Sequence, residues 1–160
     1  VNEDLPPADV APAPEDAPVY ASFARRFFAS LLDGVIVSVA GSFAGGALGI
    51  IMAILGIHSI DPAFAALNLF FQLISLLVSI GYFVYFTGSS GQTLGKMALG
   101  IKVIKIETGE APGYISAFLR EAIGKILSSI IFCLGYFWMI WDEKKQTWHD
   151  KIAGTIVVRI

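Results

Sequence analysis

Long apolar runs alternate with short polar interruptions along this chain. The first run extends from about Phe27 to Ile57, and no Lys or Arg occurs from Phe27 to Gly95. As a helix rising ~1.5 Å per residue it is roughly 45 Å long, more than a ~30 Å hydrocarbon core needs. It must tilt, break or project from the membrane, and Gly45-Gly46 is the favoured place for a kink. Gly41, Gly45, Gly49 and Ala53 recur at every fourth position and share one face. Small residues at this spacing let another helix approach closely. The second run, from about Ala63 to Phe86, carries Asn68, Gln72, Ser75 and Ser79 on one helical stripe. In lipid that stripe turns toward the bundle interior, for interhelical hydrogen bonds or to line a hydrated path. Tyr82, Phe83, Tyr85 and Phe86 follow as an interfacial aromatic belt.

After the second run the pattern changes. Residues 87–113 are polar and glycine-rich. Ile101 to Ile106 reads as a short strand, and Thr108-Gly109 to Pro112-Gly113 as turns. Thr155 to Ile160 is also strand-like, and the two strands can pair only on one side of a membrane. Arg25, Arg26, Lys96, Lys102, Lys105, Lys144, Lys145 and Lys151 flank the apolar segments, and the positive-inside rule puts them all in the cytoplasm. Tyr114 to Trp141 must then enter and leave on the same face, and it is too short for two spans of ~20 residues each. The favoured form is an amphipathic stretch (Arg120, Glu121, Lys125) leading into a short re-entrant or interfacial helix, with a break at Gly124 or Gly135. The rival is a single third span, Ile126 to Trp141, with the C-terminus outside. The expected fold is therefore an all-α membrane protein. It has two full transmembrane helices, a third amphipathic or re-entrant helical segment, and short cytoplasmic strand-like segments.

Composition agrees with this reading. The chain has 160 residues, of which 56% are hydrophobic and 15% charged. Soluble domains average about 25% charged residues. The net charge of −2 hides a segregation. Glu3, Asp4, Asp9, Glu15 and Asp16 crowd the start, with no base among them, and everything beyond is slightly basic. Residues 1–19 also hold five of the seven prolines and read as an acidic, extended tail, either a passive solubilising leader or a docking strand for a partner. These residues do not read as a signal peptide, having neither a basic start nor an early apolar core. The single cysteine, Cys133, cannot form an internal disulfide.

The sharpest chemical feature is Asp33, alone in its apolar run. A carboxylate in hydrocarbon costs roughly 2.5–3.5 kcal/mol even on lenient scales, so such residues usually face a partner or a wet cavity. Matching its depth on the second helix predicts a hydrogen bond from Ser79, Tyr82 or Arg26. Gly91-Gln92-Thr93-Leu94-Gly95-Lys96 hints at a phosphate loop but has one residue too few between its glycines, and Met97 where Ser or Thr is needed. A structured interfacial turn is the better reading. His58 and His149 form no metal-ligand or catalytic pattern, so neither a metal nor another cofactor is expected. No basic stripe supports nucleic-acid binding.

Three blocks carry a family resemblance: Tyr20 to Arg26 with Asp33-Gly34, Gly91 to Lys96 with Gly100 to Val103, and Trp148 to Thr155. Through them residues 20–160 resemble the RDD family of small bacterial membrane proteins, named for one arginine and two aspartates. The resemblance implies that Arg26 is the family arginine and Asp33 the first aspartate, with Asp150 matched to the second. The residues themselves suggest an ionic network of the three: Arg26 and Asp33 share one face of the first helix, two turns apart, and Asp150 can complete the set if the C-terminal segment folds back onto the cytoplasmic face. Transport has been suggested for the family, some members resembling cation/proton antiporters.

Two functions follow as expectations. The first is a non-enzymatic accessory or scaffold subunit of a membrane assembly in the bacterial cytoplasmic membrane, its N-terminus cytoplasmic. Its partners are the lipid bilayer and other membrane subunits or further copies of itself. The second is a cation/proton antiporter or other small transporter. Two spans cannot enclose a pathway alone, so this second reading requires a homo-oligomer.

Overall fold

The computed structural model describes residues 18–57, 61–130 and 134–160. The tail through residue 17, His58 and Cys133 lie outside them. Two long helices dominate. Helix α1 spans Phe23–Ile54 and α2 spans Pro62–Ser90. Ser22 caps α1, its Oγ accepting from the Arg25 amide at 3.5 Å. Asp61 precedes α2 at the capping position, and Pro62 occupies its first turn, where a missing amide proton costs nothing. Both helices are apolar on nearly all sides. Only Ala29, Asp33, Leu48 and Met52 of α1, and Thr87 and Gly88 of α2, are buried. A helix apolar all round needs either a protein core or lipid around it. These two are long and apolar enough to cross a membrane, and the chain supplies almost no core to cover them. Helix α1 runs unbroken through Gly45-Gly46, so the helix neither stops nor restarts there. The first turns of α1 carry Arg26 to the polar end, where it meets Asp150.

That end is a compact cap. Gly91 stops α2 in the left-handed conformation (φ 75°). A Cβ there would strike the Val103 carbonyl, so only glycine fits. Helix α3 (Leu94–Ala98) follows, then β1 (Ile101–Lys105). Helix α4 (Gly113–Phe118) passes through a π-helical stretch (Leu119–Gly124) into α5 (Lys125–Ile130). Helix α6 (Leu134–Phe137), a 3-10 turn (Trp138–Ile140), α7 (Trp148–Ile152) and β2 (Thr155–Arg159) complete the cap. Strands β1 and β2 pair antiparallel, Val103 opposite Val157. The segment before α1 joins the other side of β2, where the Ala21 amide donates to Val157 O at 2.9 Å and the Arg159 amide to Val19 O at 2.8 Å. Ala21, Ala29, Ile101, Val103 and Val157 form the small apolar core beneath this sheet.

The pairing settles the path of the third segment. Chain entering α1, chain leaving α2, and β2 all meet in one sheet, so residues 106–154 begin and end on the same side. A third complete span is incompatible with that closure. Where helices come close, glycine makes the room. A Cβ on Gly88 would meet Tyr114 Cδ1 at 2.7 Å, one on Gly124 the His149 Cβ at 2.7 Å, and one on Gly135 the Ser128 Cα at 2.7 Å. On Gly95 it would collide with the Ala29 carbonyl. These contacts all lie in the cap. The Gly41, Gly45 and Gly49 face has nothing within 4 Å of an added Cβ, and Ala53 is exposed, so α2 does not close upon it.

The two kinds of glycine make opposite predictions. Gly95→Ala forces backbone to move and is expected to lower stability by about 1–3 kcal/mol. Gly45→Ala fills open space within a helix and is expected to be neutral or stabilising by up to ~1 kcal/mol. Thermal unfolding of the detergent-solubilised variants measures both.

Candidate functional site

Three carboxylates are sunk where the cap meets the helix hairpin. Asp33 is 1% exposed. It stands on the buried side of α1, facing the N-terminus of α3. Thr93 Oγ1 donates to its Oδ2 at 2.5 Å, the Gly95 amide to Oδ1 at 2.8 Å, and Tyr82 Oη to Oδ1 at 3.1 Å. Tyr82 Oη in turn accepts from the Leu94 amide at 3.2 Å. A helix N-terminus offers free amides and a partial positive charge, which suits a carboxylate. The glycine-rich loop therefore receives this chain's own carboxylate. Gly95 lets α1 come near enough, since a Cβ would also sit 2.9 Å from Asp33 Oδ1.

Asp150 is fully buried and joins three elements. Arg26 Nη1 of α1 donates to its Oδ2 at 2.5 Å, and Arg120 Nη1 of the π-helical stretch lies 2.5 Å from Oδ1. It also closes a capping box at the start of α7. The Thr147 amide donates to Oδ2 at 3.1 Å, and the Asp150 amide to Thr147 Oγ1 at 3.4 Å. Arg26 Nη2 finds a second acceptor in the Lys145 carbonyl at 2.7 Å, which ties the 142–147 loop to α1. Burial alone would raise the Asp150 carboxyl. Arg120, His149, Arg26 and the Thr147 amide together outweigh burial and hold it below the usual carboxylate range.

Glu121 is the third. Its Oε1 accepts from Arg120 Nε at 3.2 Å and Thr87 Oγ1 at 3.3 Å, with Lys96 Nζ at 3.7 Å. Lys125, one turn along, pairs with Oε2 and rests over the Phe83 ring at 4.2 Å. Glu121 thus fastens the end of α2 to α3 and to the third segment. Burial opposes its ionisation, but Lys125, Lys96 and Arg120 more than offset it, and its pKa lies below the normal range. Burial lowers Lys96 to about 8 against the pull of Glu121. The π-helical stretch explains how consecutive residues, Arg120 and Glu121, can both point inward. A wider turn admits one extra residue, and such stretches recur at functional sites.

His149 lies against Gly124, its Nδ1 3.3 Å from Ser128 Oγ and its ring 5.2 Å from that of Tyr136. Burial pushes its pKa down to about 3 despite nearby Asp150, so it is neutral at pH 7. Among the described residues no three His, Cys, Asp or Glu side chains could share a metal ion.

Of the sequence-predicted network, Arg26 and Asp150 meet directly. Asp33 does not pair with either. Its donors come from Tyr82 and the α3 loop instead, because side chains seven residues apart on a helix reach different layers of the cap. Arg120, Glu121, Lys96 and Thr93 are the members that sequence reasoning did not assign to the network. The predicted polar stripe faces a cleft of about 420 Å³ between α1 and α2. Asn68, Gln72 and Ser75 line one wall and Gly41, Gly45 and Gly49 the other. Gln72 Nε2 donates to Asn68 Oδ1 at 2.5 Å. Ser79 lies further along α2, half-buried and outside the cleft.

Comparison with known proteins places these features in a family. The model of the RDD family matches residues 20–154. An uncharacterized protein of Rickettsia prowazekii is 35% identical over 92 residues, covering 58% of this chain and 50% of its own length. A proline-rich antigen homolog of Mycobacterium tuberculosis is 32% identical over 96 residues, 56% of this chain and 40% of that protein. The chain therefore spans half or less of these two relatives. The uncharacterized membrane protein YteJ of Bacillus subtilis is 28% identical over 151 residues, 87% of this chain and 80% of that protein. No solved structure matches.

Removing one member of the buried set strands the others. Asp150→Ala leaves Arg26 and Arg120 facing each other and is expected to cost about 3–5 kcal/mol. Acid acts through His149 first. The unfolded histidine takes its proton near pH 6.5 and the folded one only near 3, so the unfolded state binds more protons in between. Stability should fall as pH drops from 6.5 toward 3, by up to about 1.4 kcal/mol per pH unit. Asp150 and Glu121 steepen the loss below about pH 4. His149→Gln should flatten the upper part of an unfolding-versus-pH curve and leave the lower part.

Proposed function

The chain belongs to the RDD family, and we propose that it serves as a non-enzymatic accessory or scaffold subunit of a membrane protein assembly. The carrying observation is the contrast between its two polar regions. The ionic cap is closed on itself, and Asp33 has three donors from its own chain. The α1–α2 cleft is open. One hydrogen bond between Asn68 and Gln72 leaves further amide donors and acceptors available. At membrane depth such groups favour a neighbouring helix over lipid, and glycines opposite allow that helix close approach. The occupant is a transmembrane helix of another subunit. The positive-inside rule assigns the cap to the cytoplasm. In this reading the Arg26–Asp150 pair and the Asp33 clamp fix the hairpin geometry that presents the cleft.

Two measurements test the proposal. Mild detergent extraction should yield the chain within a larger complex, and Gly45→Leu with Gly49→Leu should release it at unchanged thermal stability. Proteoliposomes of the purified chain should move no protons against Na+, K+ or Li+. Cation-driven proton exchange that Asp33→Asn abolishes, with folding and assembly intact, would overturn the scaffold reading in favour of an antiporter.

A further inference from the structure

We propose that the cleft at the far end of residues 113–141 binds a phospholipid headgroup carrying both a phosphate and a primary ammonium. The sheet returns both ends of this segment to one side of the membrane. Its outward surface is apolar, with Ile115, Phe118, Ile126, Phe137 and Ile140 exposed. That surface belongs against the leaflet beside the cap. The segment ends at a cleft of about 380 Å³ walled by Trp138 and Trp141. Trp141 is 73% exposed. Exposed indoles with an apolar approach mark the headgroup level of a bilayer.

The charges around the cleft select the ligand. Its rim carries two acids, Asp142 and Glu143, and two lysines, Lys144 and Lys151. Lys151 pairs with Asp142 and lies 5.8 Å from the Trp138 ring centre. The Gln146 amide also holds Asp142, donating to Oδ2 at 3.0 Å. That pair is therefore closed. Glu143 and Lys144 are exposed, and among the described residues neither forms an ion pair. The site thus offers one available anion beside one available cation, at zero net charge. A simple anion meets Glu143 and a simple cation meets Lys144, each unfavourably. A zwitterion satisfies both, its phosphate toward Lys144 and its ammonium toward Glu143 and the indole faces. A primary ammonium can also donate N–H to Glu143, which a quaternary one cannot. Phe137 and Ile140, exposed and next in sequence to the two indoles, would receive the acyl chains. This site is separate from the α1–α2 cleft and does not depend on the scaffold reading.

The full chain is purified in detergent and given equimolar phosphatidylethanolamine, phosphatidylglycerol and phosphatidylcholine, and retained lipid is read by native mass spectrometry. Phosphatidylethanolamine should be retained about fivefold over either competitor, the effect expected of one exposed ion pair. Lys144→Gln and Trp141→Ala should each lower retention, and Glu143→Lys should reverse the preference toward phosphatidylglycerol. All three positions are exposed, so thermal melting should stay unchanged. Equal retention of the three lipids, or an unaltered preference in Glu143→Lys, overturns the proposal. So does soluble glycerophosphoethanolamine competing as well as the lipid, which would make the occupant a soluble molecule.

Discussion

The Asp150 carboxylate, shared between Arg26 and Arg120, is the interaction on which the remaining architecture depends. An unpaired ion at such a depth costs several kcal/mol. Each of the three charges is tolerable only while the others are present. Their elements are α1, the π-helical stretch and α7, which are remote in sequence. Neutralising the charges therefore fixes how the cap sits on the helix hairpin. The strand pairing of β1 with β2 and the packing around Gly124 then follow in the space that remains.

Buried contacts are unevenly distributed. The lipid-facing turns of α1 and α2 touch little of their own chain, while the cap holds nearly every buried residue. Helices without a mutual hydrophobic drive associate in lipid through small residues and hydrogen bonds. Here those devices act within the cap, at Gly88 and Gly95, and through the Tyr82–Asp33 bond. At Gly41, Gly45 and Gly49 they have nothing to act on within this chain. Tight self-satisfaction at one end and unfilled capacity at the other is the arrangement expected of a part that is held rigid so that it can hold something else.

Much of the architecture was legible in the pattern of residues, and the reasons differ by element. The two spans showed because lipid selects long apolar runs. The strand pair showed because Ile101 to Ile106 and Thr155 to Ile160 are rich in β-branched residues and each is preceded by glycine. Asp33 stood out because a lone carboxylate in such a run is rare, and the rise of a helix matched its depth to Ser79 and Tyr82, of which Tyr82 makes the bond. Its other donors were hidden. Thr93 and Gly95 sit about 60 residues away in a motif that resembles a phosphate loop. The spacing of that motif argued against phosphate and for a turn, but nothing in it named Asp33 as the group the turn would hold. Arg120 and Glu121 were visible only as the polar side of an amphipathic stretch. The π-helical stretch that turns both inward leaves no mark on composition or periodicity. The glycine face of α1 was legible as a surface, but α2 leaves it uncovered.

The long sequence separation of the Arg26–Asp150 bond has a consequence for biogenesis. Asp150 is synthesised 124 residues after Arg26. When α1 and α2 first enter the bilayer, Arg26 has no counterion, and β2 does not yet exist to pair with β1 or with the segment before α1. The hairpin must therefore reside in the membrane as a provisional form, with its polar end exposed to the aqueous face. Only when α7 and β2 have been translated can the arginine be neutralised and the sheet closed.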